Sequence, residues 1–177
     1  MSKLIDISVE IDNQTVCWPG TVTPQIEYWS RIASGSNIND SNIYMNLHTG
    51  THIDAPNHFI ESGKTIEQIP LDKCCGKAYV LSVEGNVISK EVIDRHREIF
   101  TKYGKILFKS ENSCRIKDKF DYGFVGLDES GARAILEYDI ELIGIDYLSV
   151  QKFGDENNIV HTLLLGKNIL LLENIDL

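Results

Sequence analysis

Alternating hydrophobic and polar residues recur in the first third of the chain. Apolar side chains stand at Ile5, Ile7, Val9 and Ile11, with polar residues between them. A period of two is typical of a strand with one buried face, so we predict a strand over residues 4–11. The same alternation returns over residues 43–55. Further short apolar runs predict strands at 77–83, 105–110, 140–150 and 168–175.

Two segments show the helical period instead. Residues 89–104 begin with Ser89, a residue type favoured at helix N-caps, and end at Gly104, a type favoured just past a helix C-terminus. Their stripe of 3.6-residue period consists of Val92, His96, Ile99 and Tyr103. Residues 128–139 form a second helix candidate, and residues 161–165 a short helix or turn.

The whole chain, residues 1–177, reads as one domain. It is long enough to bury a core of its own, and it contains no internal repeat, low-complexity tract or linker. Hydrophobic residues make up 42% and charged residues 24%, as in globular proteins. The mixture of strands with two or three helices predicts an α/β or α+β fold.

Charge limits the choice of partners. The chain has 17 lysines and arginines against 26 acidic residues, for a net charge of -9. Nucleic acids and anionic membranes attract basic surfaces, so neither is an expected partner. The longest apolar run, LLLGKNILLL, is interrupted by Gly166, Lys167 and Asn168, and we expect no membrane span. The acidic strand pattern at the N-terminus does not resemble a signal peptide.

Cysteine usage favours the cytoplasm. The four cysteines show no spacing typical of a disulfide framework, so we expect reduced thiols. Adjacent Cys74 and Cys75 could bind a soft metal, but they lack a second cysteine pair or a nearby histidine. The four positions are Cys17, Cys74, Cys75 and Cys114.

The segment HTGTHIDAPNHF, residues 48–59, holds three of the five histidines of the chain and one aspartate. In an extended strand, alternate residues share a face. The odd positions from 43 to 55 are apolar or small, so they suit a core. The even positions carry His48, His52, Asp54 and His58. One face would therefore present all four titratable side chains, an arrangement that a helix does not give.

A straight strand would nevertheless keep two of these histidines apart. An ideal strand separates His48 from His52 by roughly 13 Å, and Zn–N bonds are only about 2.0–2.1 Å long. Gly50 lies midway between them and allows a bulge or kink. Asp54 is close enough to His52 to need no bend. We therefore predict a kinked strand, followed by a loop at Pro56, that brings His48, His52 and Asp54 around one ion.

The alternative is that these histidines are merely exposed or hydrogen-bonded. That is the ordinary state of a single histidine, and we expect it of His96 on the helical stripe. Three imidazoles and a carboxylate on one polar face favour a metal site. A ligand set without thiolate suits zinc, with manganese or another first-row dication as the alternative. Structural zinc sites favour cysteine, so the set also favours catalysis.

The same segment resembles the signature HxGxHxDxPxHF of the cyclase family, whose best-known members are bacterial kynurenine formamidases. Three other segments resemble the family as well. CWPG, with Trp18, is similar to the aromatic substrate loop near the family's N-terminus. GIDYLSV, residues 144–150, is similar to the segment before the late metal ligand. HTLLLGKNILLLENI, residues 161–175, is similar to the closing segment that carries a histidine and then a glutamate.

The resemblance implies a divalent metal cofactor, zinc or manganese, with one or two ions per site. His48, His52 and Asp54 would be ligands, and Asp54 would bridge two ions. His161 would bind the second ion, and Glu173 would touch both. Taken alone, His161 could be a capping or surface residue, and Glu173 could be a polar break in an apolar strand.

The resemblance also assigns the remaining parts of the site. His58 would be the acid/base, and Trp18 would line the aromatic end of the pocket, although a core position for Trp18 is the alternative. The implied fold is a swivelling β/β/α-type single domain with a partly open mixed β-barrel and a few flanking helices, assembled as a dimer or tetramer. Two features depart from the family. Thr21 stands where an acid is common, and the chain stops at Leu177, whereas relatives continue with further strand segments.

Metal-dependent hydrolysis is the reaction class that this site favours. A divalent ion supplies a hydroxide at neutral pH, and paired ions can hold both the attacking and the developing oxygen. The sequence has no G-x-S-x-G elbow, catalytic cysteine signature or glycine-rich phosphate loop. The resemblance implies a small-molecule substrate, N-formylkynurenine, split into kynurenine and formate, with His58 protonating the aniline nitrogen. The alternatives are a hydrolase of cyclic amides or lactones, and a metal-binding or assembly protein without turnover.

Overall fold

The computed structural model describes residues 3–114 and 118–177. It contains seven strands and four α-helices within those residues, joined by short 3₁₀ turns. The strands are β1 (Gln25–Ser30), β2 (Asp40–Tyr44), β3 (His52–Asp54), β4 (Tyr79–Ser82), β5 (Lys105–Lys109), β6 (Leu142–Ile145) and β7 (Leu170–Glu173). The helices are α1 (Lys90–Arg95), α2 (Arg97–Lys102), α3 (Glu129–Ile135) and α4 (Ile159–Gly166).

Five of the strands form one mixed sheet in the order β3-β7-β6-β5-β4. Strands β4 to β7 are mutually parallel, and β3 pairs antiparallel with β7 at one edge. The helices lie in the connections between the parallel strands, as parallel pairing requires. The predicted mixed α/β domain is confirmed. The sheet is open, and no closed barrel forms within the described residues.

The central strands are apolar on both faces, which explains why they read as continuous hydrophobic runs. In β5, Ile106 and Phe108 face the main core, while Leu107 faces a smaller cluster on the other side. In β6, Ile143 faces the main core and Leu142 faces the smaller cluster. Each fully buried side chain of this size contributes roughly 1.5–3 kcal/mol. The main core packs between the sheet and helices α1, α3 and α4.

The predicted strand over residues 4–11 is wrong. Only one bridge forms there, between Ser8 and Ile175, and Ile5 stays 66% exposed. The pattern was compatible with a strand, but β7 already pairs with β6 on one side and β3 on the other. No edge of β7 remains for the N-terminal segment, which therefore runs past it in irregular conformation.

The predicted continuous strand over residues 43–55 is two strands in different sheets. Strand β2 pairs only with β1, in a separate two-stranded ribbon, and β3 joins the main sheet. A turn over residues 47–50 separates them. Gly50 has φ +73°, a conformation that side chains disfavour, and a Cβ there would lie 2.7 Å from Ile11. The predicted bend at Gly50 is therefore present, and it is sharper than a kink.

The predicted helix over residues 89–104 is interrupted at His96. Its backbone dihedrals, φ −111° and ψ 21°, leave the helical region, so α1 and α2 are separate elements. Ser89 stands at the N-cap position, but its hydroxyl bonds the Glu91 carboxylate instead of a backbone N–H. Each short helix still buries one large residue, Ile93 in α1 and Phe100 in α2.

Helix α4, with eight residues, is the longest α-helix among the described residues. Within the part of the chain that the structure describes, no helix is long and apolar enough to cross a membrane.

Candidate metal centre

The site forms where the parallel strands end. Antiparallel pairing sets His52 of β3 directly opposite Glu173 of β7, and directly opposite residues project from the same face of a sheet. Ile53, between His52 and Asp54, packs into the smaller cluster on the other face. His52, Asp54 and Glu173 therefore point toward the face covered by α4, which carries His161. In open α/β sheets, the carboxyl ends of the strands are the usual place for a ligand.

The turn at Gly50 folds His48 back onto β3. His48 Nδ1 lies 3.0 Å from His52 Nε2 and 2.9 Å from Asp54 Oδ1. His52 Nε2 lies 3.3 Å from the same oxygen. The other ring nitrogen of His52 is 2.9 Å from the Gly50 carbonyl oxygen, which fixes the ring orientation. Three side chains that a straight strand would separate thus converge on one point.

Asp54 is the centre of the cluster. Its side chain is 1% exposed, and neither carboxylate oxygen has a hydrogen-bond partner of normal geometry in the described part of the chain. Burying a charged carboxylate costs free energy unless the carboxylate is hydrogen-bonded, ion-paired or bound to a metal. The imidazoles of His48 and His52 lie within 3.3 Å of Oδ1 but form no hydrogen bond of normal geometry with it. A divalent cation would supply the missing partner, so the residues present fit a metal.

Two groups of potential ligands share Asp54. His48, Asp54 and His58 form one group, and His52, Asp54 and Glu173 form the other. Within each group the ligand atoms lie within 4.8 Å of one another. If each group held an ion, Asp54 would be a ligand common to both. This partition places His58 among the possible ligands, whereas the sequence predicted it beside the coordination sphere.

His161 and Glu173 meet on the α4 side of the centre. His161 Nε2 lies 3.4 Å from Glu173 Oε1 and 3.4 Å from Ser149 Oγ. Its Nδ1 lies 3.3 Å from Gln151 Oε1. The backbone N–H of Val150 donates to Glu173 Oε1, which leaves the other carboxylate oxygen, Oε2, facing His52 at 3.6 Å. The structure therefore brings both late residues to the cluster, as the family resemblance implied.

His58 follows Asp54 by one 3₁₀ turn, Pro56–His58. Its Nε2 lies 3.8 Å from Asp54 Oδ2, and its ring centroid lies 4.1 Å from that of His48. The side chain is 36% exposed, in contrast to 10% for His52. His58 therefore reaches both the cluster and the open cavity.

Burial and neighbouring charges shift the pKa values of the cluster in opposite directions, and their balance differs from residue to residue. Burial tends to raise the pKa of Asp54, but the close imidazoles of His48 and His52 hold that pKa well below its ordinary value of 3.8. Burial tends to lower the pKa of His52, but Asp54 and Glu173 outweigh it and raise that pKa above 6.5. His58 goes the other way: burial lowers its pKa, and His48 and His161 lower it further against the pull of Asp54. A neutral imidazole at His58 suits a general base.

Acidification should weaken zinc binding, because protons compete for the ligands. The raised pKa of His52 means that the metal-free protein holds a proton on His52 to a pH above 6.5, and zinc must displace it. We expect the apparent affinity to fall about tenfold per pH unit for each proton released. Competition with a chelating dye between about pH 8 and 5.5 measures this. An affinity that stays constant over that range would contradict the ligand role of His52.

The cluster opens into a cavity of about 530 Å³, a size typical of small-molecule sites. Trp18 forms part of its wall, with its ring centroid 5.1 Å from that of Phe120 and 5.6 Å from that of Phe153. Phe59 also lines the cavity, with its ring centroid 4.6 Å from that of His161. The structure thus places Trp18 at the pocket, where the resemblance implied it.

Sequence reasoning missed several residues of the cavity. Ser149 and Gln151 contact His161, but nothing in their local pattern marks them as polar residues of a site. Lys152 and Asp155 also line the cavity. They lie in a turn whose composition predicts only a loop. The chain fold, which brings this loop back over β3, was needed to find them.

Fold and site together define the class: an α/β domain with a cluster of histidine and carboxylate side chains that could hold a metal at the carboxyl ends of its parallel strands. A family model described as "Putative cyclase" matches residues 5–152. The chain therefore belongs to the cyclase family, and the resemblance seen in the sequence is confirmed.

Several proteins similar to this chain are named as hydrolases. Kynurenine formamidase of Bacillus cereus is 32% identical over 177 residues, covering 98% of this chain and 82% of the relative. A solved structure from Bacillus stearothermophilus, described as a predicted metal-dependent hydrolase, is 28% identical with a TM-score of 0.82, covering 98% of this chain and 82% of that one. Isatin hydrolase A from Labrenzia aggregata shares the fold, with a TM-score of 0.81 at 20% identity. The match covers 97% of this chain and 79% of that one.

Proposed function

We propose that this protein is a metal-dependent amide hydrolase, and specifically an arylformamidase that converts N-formylkynurenine to kynurenine and formate. The observation that carries the proposal is the buried Asp54 carboxylate, with both oxygens unpaired and imidazoles around it. The choice of a formamide substrate is supported by the similarity to the kynurenine formamidase of Bacillus cereus. Four free cysteines are compatible with a cytoplasmic location.

The proposed reaction needs metal ligands, an acid/base and a surface for the substrate. His48, His52, Asp54, His161 and Glu173 would hold two divalent ions, with zinc favoured and manganese as the alternative. Such ions activate water and stabilise the oxygen that gains charge when a carbonyl is attacked.

His58 would take the proton of the attacking water, a role supported by its position between the cluster and the cavity. It then returns that proton to the aniline nitrogen as the C–N bond breaks. Trp18 and Phe153 form an aromatic wall against which the aryl ring of the substrate packs.

Removal of metal tests the proposed function. Protein dialysed against a chelator should not hydrolyse N-formylkynurenine, and zinc or manganese should restore the formation of kynurenine. Hydrolysis that survives complete metal removal would contradict the mechanism. Turnover of isatin or a lactone without turnover of N-formylkynurenine would favour the cyclic-amide alternative. Metal binding without turnover of any substrate in such a panel would favour a non-catalytic protein.

We also propose that the chain forms a homo-oligomer through the ribbon of β1 and β2. A two-stranded ribbon is marginally stable in water by itself, yet this one exposes Tyr28, Trp29, Ile43 and Tyr44 by more than half. An exposed apolar patch of this kind typically marks a protein interface. In a two-fold dimer, the same patch covers itself on the second copy.

Substituting two ribbon residues tests the assembly. The double variant Trp29→Ser with Ile43→Ser should dissociate the oligomer to monomers, measured by size-exclusion chromatography with light scattering. Leu71→Ser serves as the control, since Leu71 is 80% exposed but lies outside the ribbon. A monomeric wild-type protein, or an oligomer that both variants retain, would contradict this assembly.

A further inference from the structure

The cavity beside the metal centre carries a pair of opposite charges on the loop between β6 and α4. Lys152 and Asp155 both line it. Neither side chain forms an ion pair or hydrogen bond with another described residue, and they do not pair with each other. Charged side chains that line a cavity without partners are available to a charged ligand.

The loop is held in place by Gln151, which is buried. The side-chain amide of Gln151 donates to the Asp155 carbonyl oxygen at 3.2 Å, and its oxygen accepts from the Val160 N–H at 3.0 Å. The same oxygen lies 3.3 Å from His161 Nδ1. Gly154, with φ +89°, makes the turn between the two charged residues. The charged pair is therefore anchored to the metal centre through one side chain, instead of lying on a free loop.

The cavity thus has three chemical regions. The histidine–carboxylate cluster forms one end, Trp18 and Phe153 form an aromatic wall, and Lys152 and Asp155 supply one positive and one negative group. A molecule that satisfies all three regions has a hydrolysable bond, an aryl ring and a zwitterionic group. A cyclic amide such as isatin satisfies only the first two.

We propose that Lys152 and Asp155 form a subsite for the zwitterionic α-amino-acid end of the substrate. Lys152 binds the α-carboxylate, and Asp155 binds the α-ammonium group. This inference rests on the proposed function, because it concerns the end of the substrate that lies away from the reacting formamide. The subsite selects aryl formamides that carry an amino acid over those that lack one.

The subsite should act on binding more than on chemistry. The amino-acid end is remote from the bond that breaks, so its contacts are the same in the ground state and the transition state. Loss of such contacts raises KM and leaves kcat little changed. The two side chains are exposed to solvent, so each should contribute about a twofold to fivefold preference.

The experiment compares N-formylkynurenine with ortho-formamidoacetophenone, which has the same aryl formamide without the amino acid. Zinc-loaded wild-type protein should favour N-formylkynurenine in kcat/KM, through a lower KM. In Lys152→Met and in Asp155→Asn, this preference should shrink by about twofold to fivefold each. The controls Lys77→Met and Asp139→Asn should keep the wild-type preference, since both residues are exposed and precede β4 and β6 at the opposite end of the sheet.

The outcomes separate this inference from the proposed function. Equal kcat/KM for both formamides in the wild-type protein would overturn the subsite and leave the formamidase activity standing. A wild-type preference that survives in both Lys152→Met and Asp155→Asn would also overturn it. Hydrolysis of neither formamide by zinc-loaded protein would overturn the proposed function, and the subsite with it.

Discussion

Asp54→Asn should abolish metal binding by both halves of the centre and lower kcat/KM for N-formylkynurenine by at least about a thousandfold. Asp54 is the single residue shared by the two ligand groups, and asparagine keeps its size while removing the charge. An amide also brings N–H groups toward the imidazoles of His48 and His52, which lie within 3.3 Å of Oδ1. The variant should therefore fold and yet fail to bind cations.

Thermal unfolding with and without zinc separates a lost site from a lost fold. Zinc at a hundred times its Kd should stabilise the wild-type protein by about 2.7 kcal/mol and should leave Asp54→Asn unchanged. Asp139→Asn is the matched control, because it removes an exposed carboxylate outside the cluster and should respond to zinc like the wild type. If the Asp54→Asn protein still binds two ions, Asp54 is not a ligand shared by them.

His58→Ala should lower kcat by about 10²–10⁴-fold while the protein keeps its metal. The loss follows from the position of His58, which is 36% exposed at the cavity and close to the Asp54 carboxylate. Added imidazole should restore part of the rate, because the deleted ring leaves a space that opens to solvent. Metal content is measured on the same samples as the rate.

The result also decides between the two roles that the geometry allows for His58. If His58→Ala loses an ion, His58 is a ligand, in keeping with its place beside His48 and Asp54. If hydrolysis continues at the wild-type rate, His58 has no part in the reaction. The control His96→Ala removes the half-buried imidazole between α1 and α2, outside the cluster, and should keep the wild-type rate.

Local pattern was sufficient to find the first part of the site. Alternation put His48, His52 and Asp54 on one face, and the bond lengths of a metal centre required the bend that Gly50 makes. His161 and Glu173 came only from the family resemblance. Glu173 meets His52 through a strand pairing that is distant in sequence, and no local period reports such a pairing.

Failures of prediction arose where an alternating pattern had no partner strand. Ile5 and Ile7 alternate with polar residues as in a half-buried strand, but both edges of β7 are occupied, by β3 and by β6. The same limit hid the ribbon strand β1, whose residues are mostly exposed and show no buried face. Lys152 and Asp155 were missed because a charged residue in a turn looks the same whether it faces solvent or a cavity.

Elemental analysis of the purified protein, combined with anomalous diffraction at the metal edge, tests the central claim that Asp54 is shared by two divalent cations. We expect two zinc or manganese ions per chain, each about 2.0–2.2 Å from an oxygen of Asp54. One ion should also contact His48, and the other should contact His52 or Glu173, in keeping with the two ligand groups. Protein that contains no metal and takes up none, or anomalous peaks away from Asp54, would contradict the account.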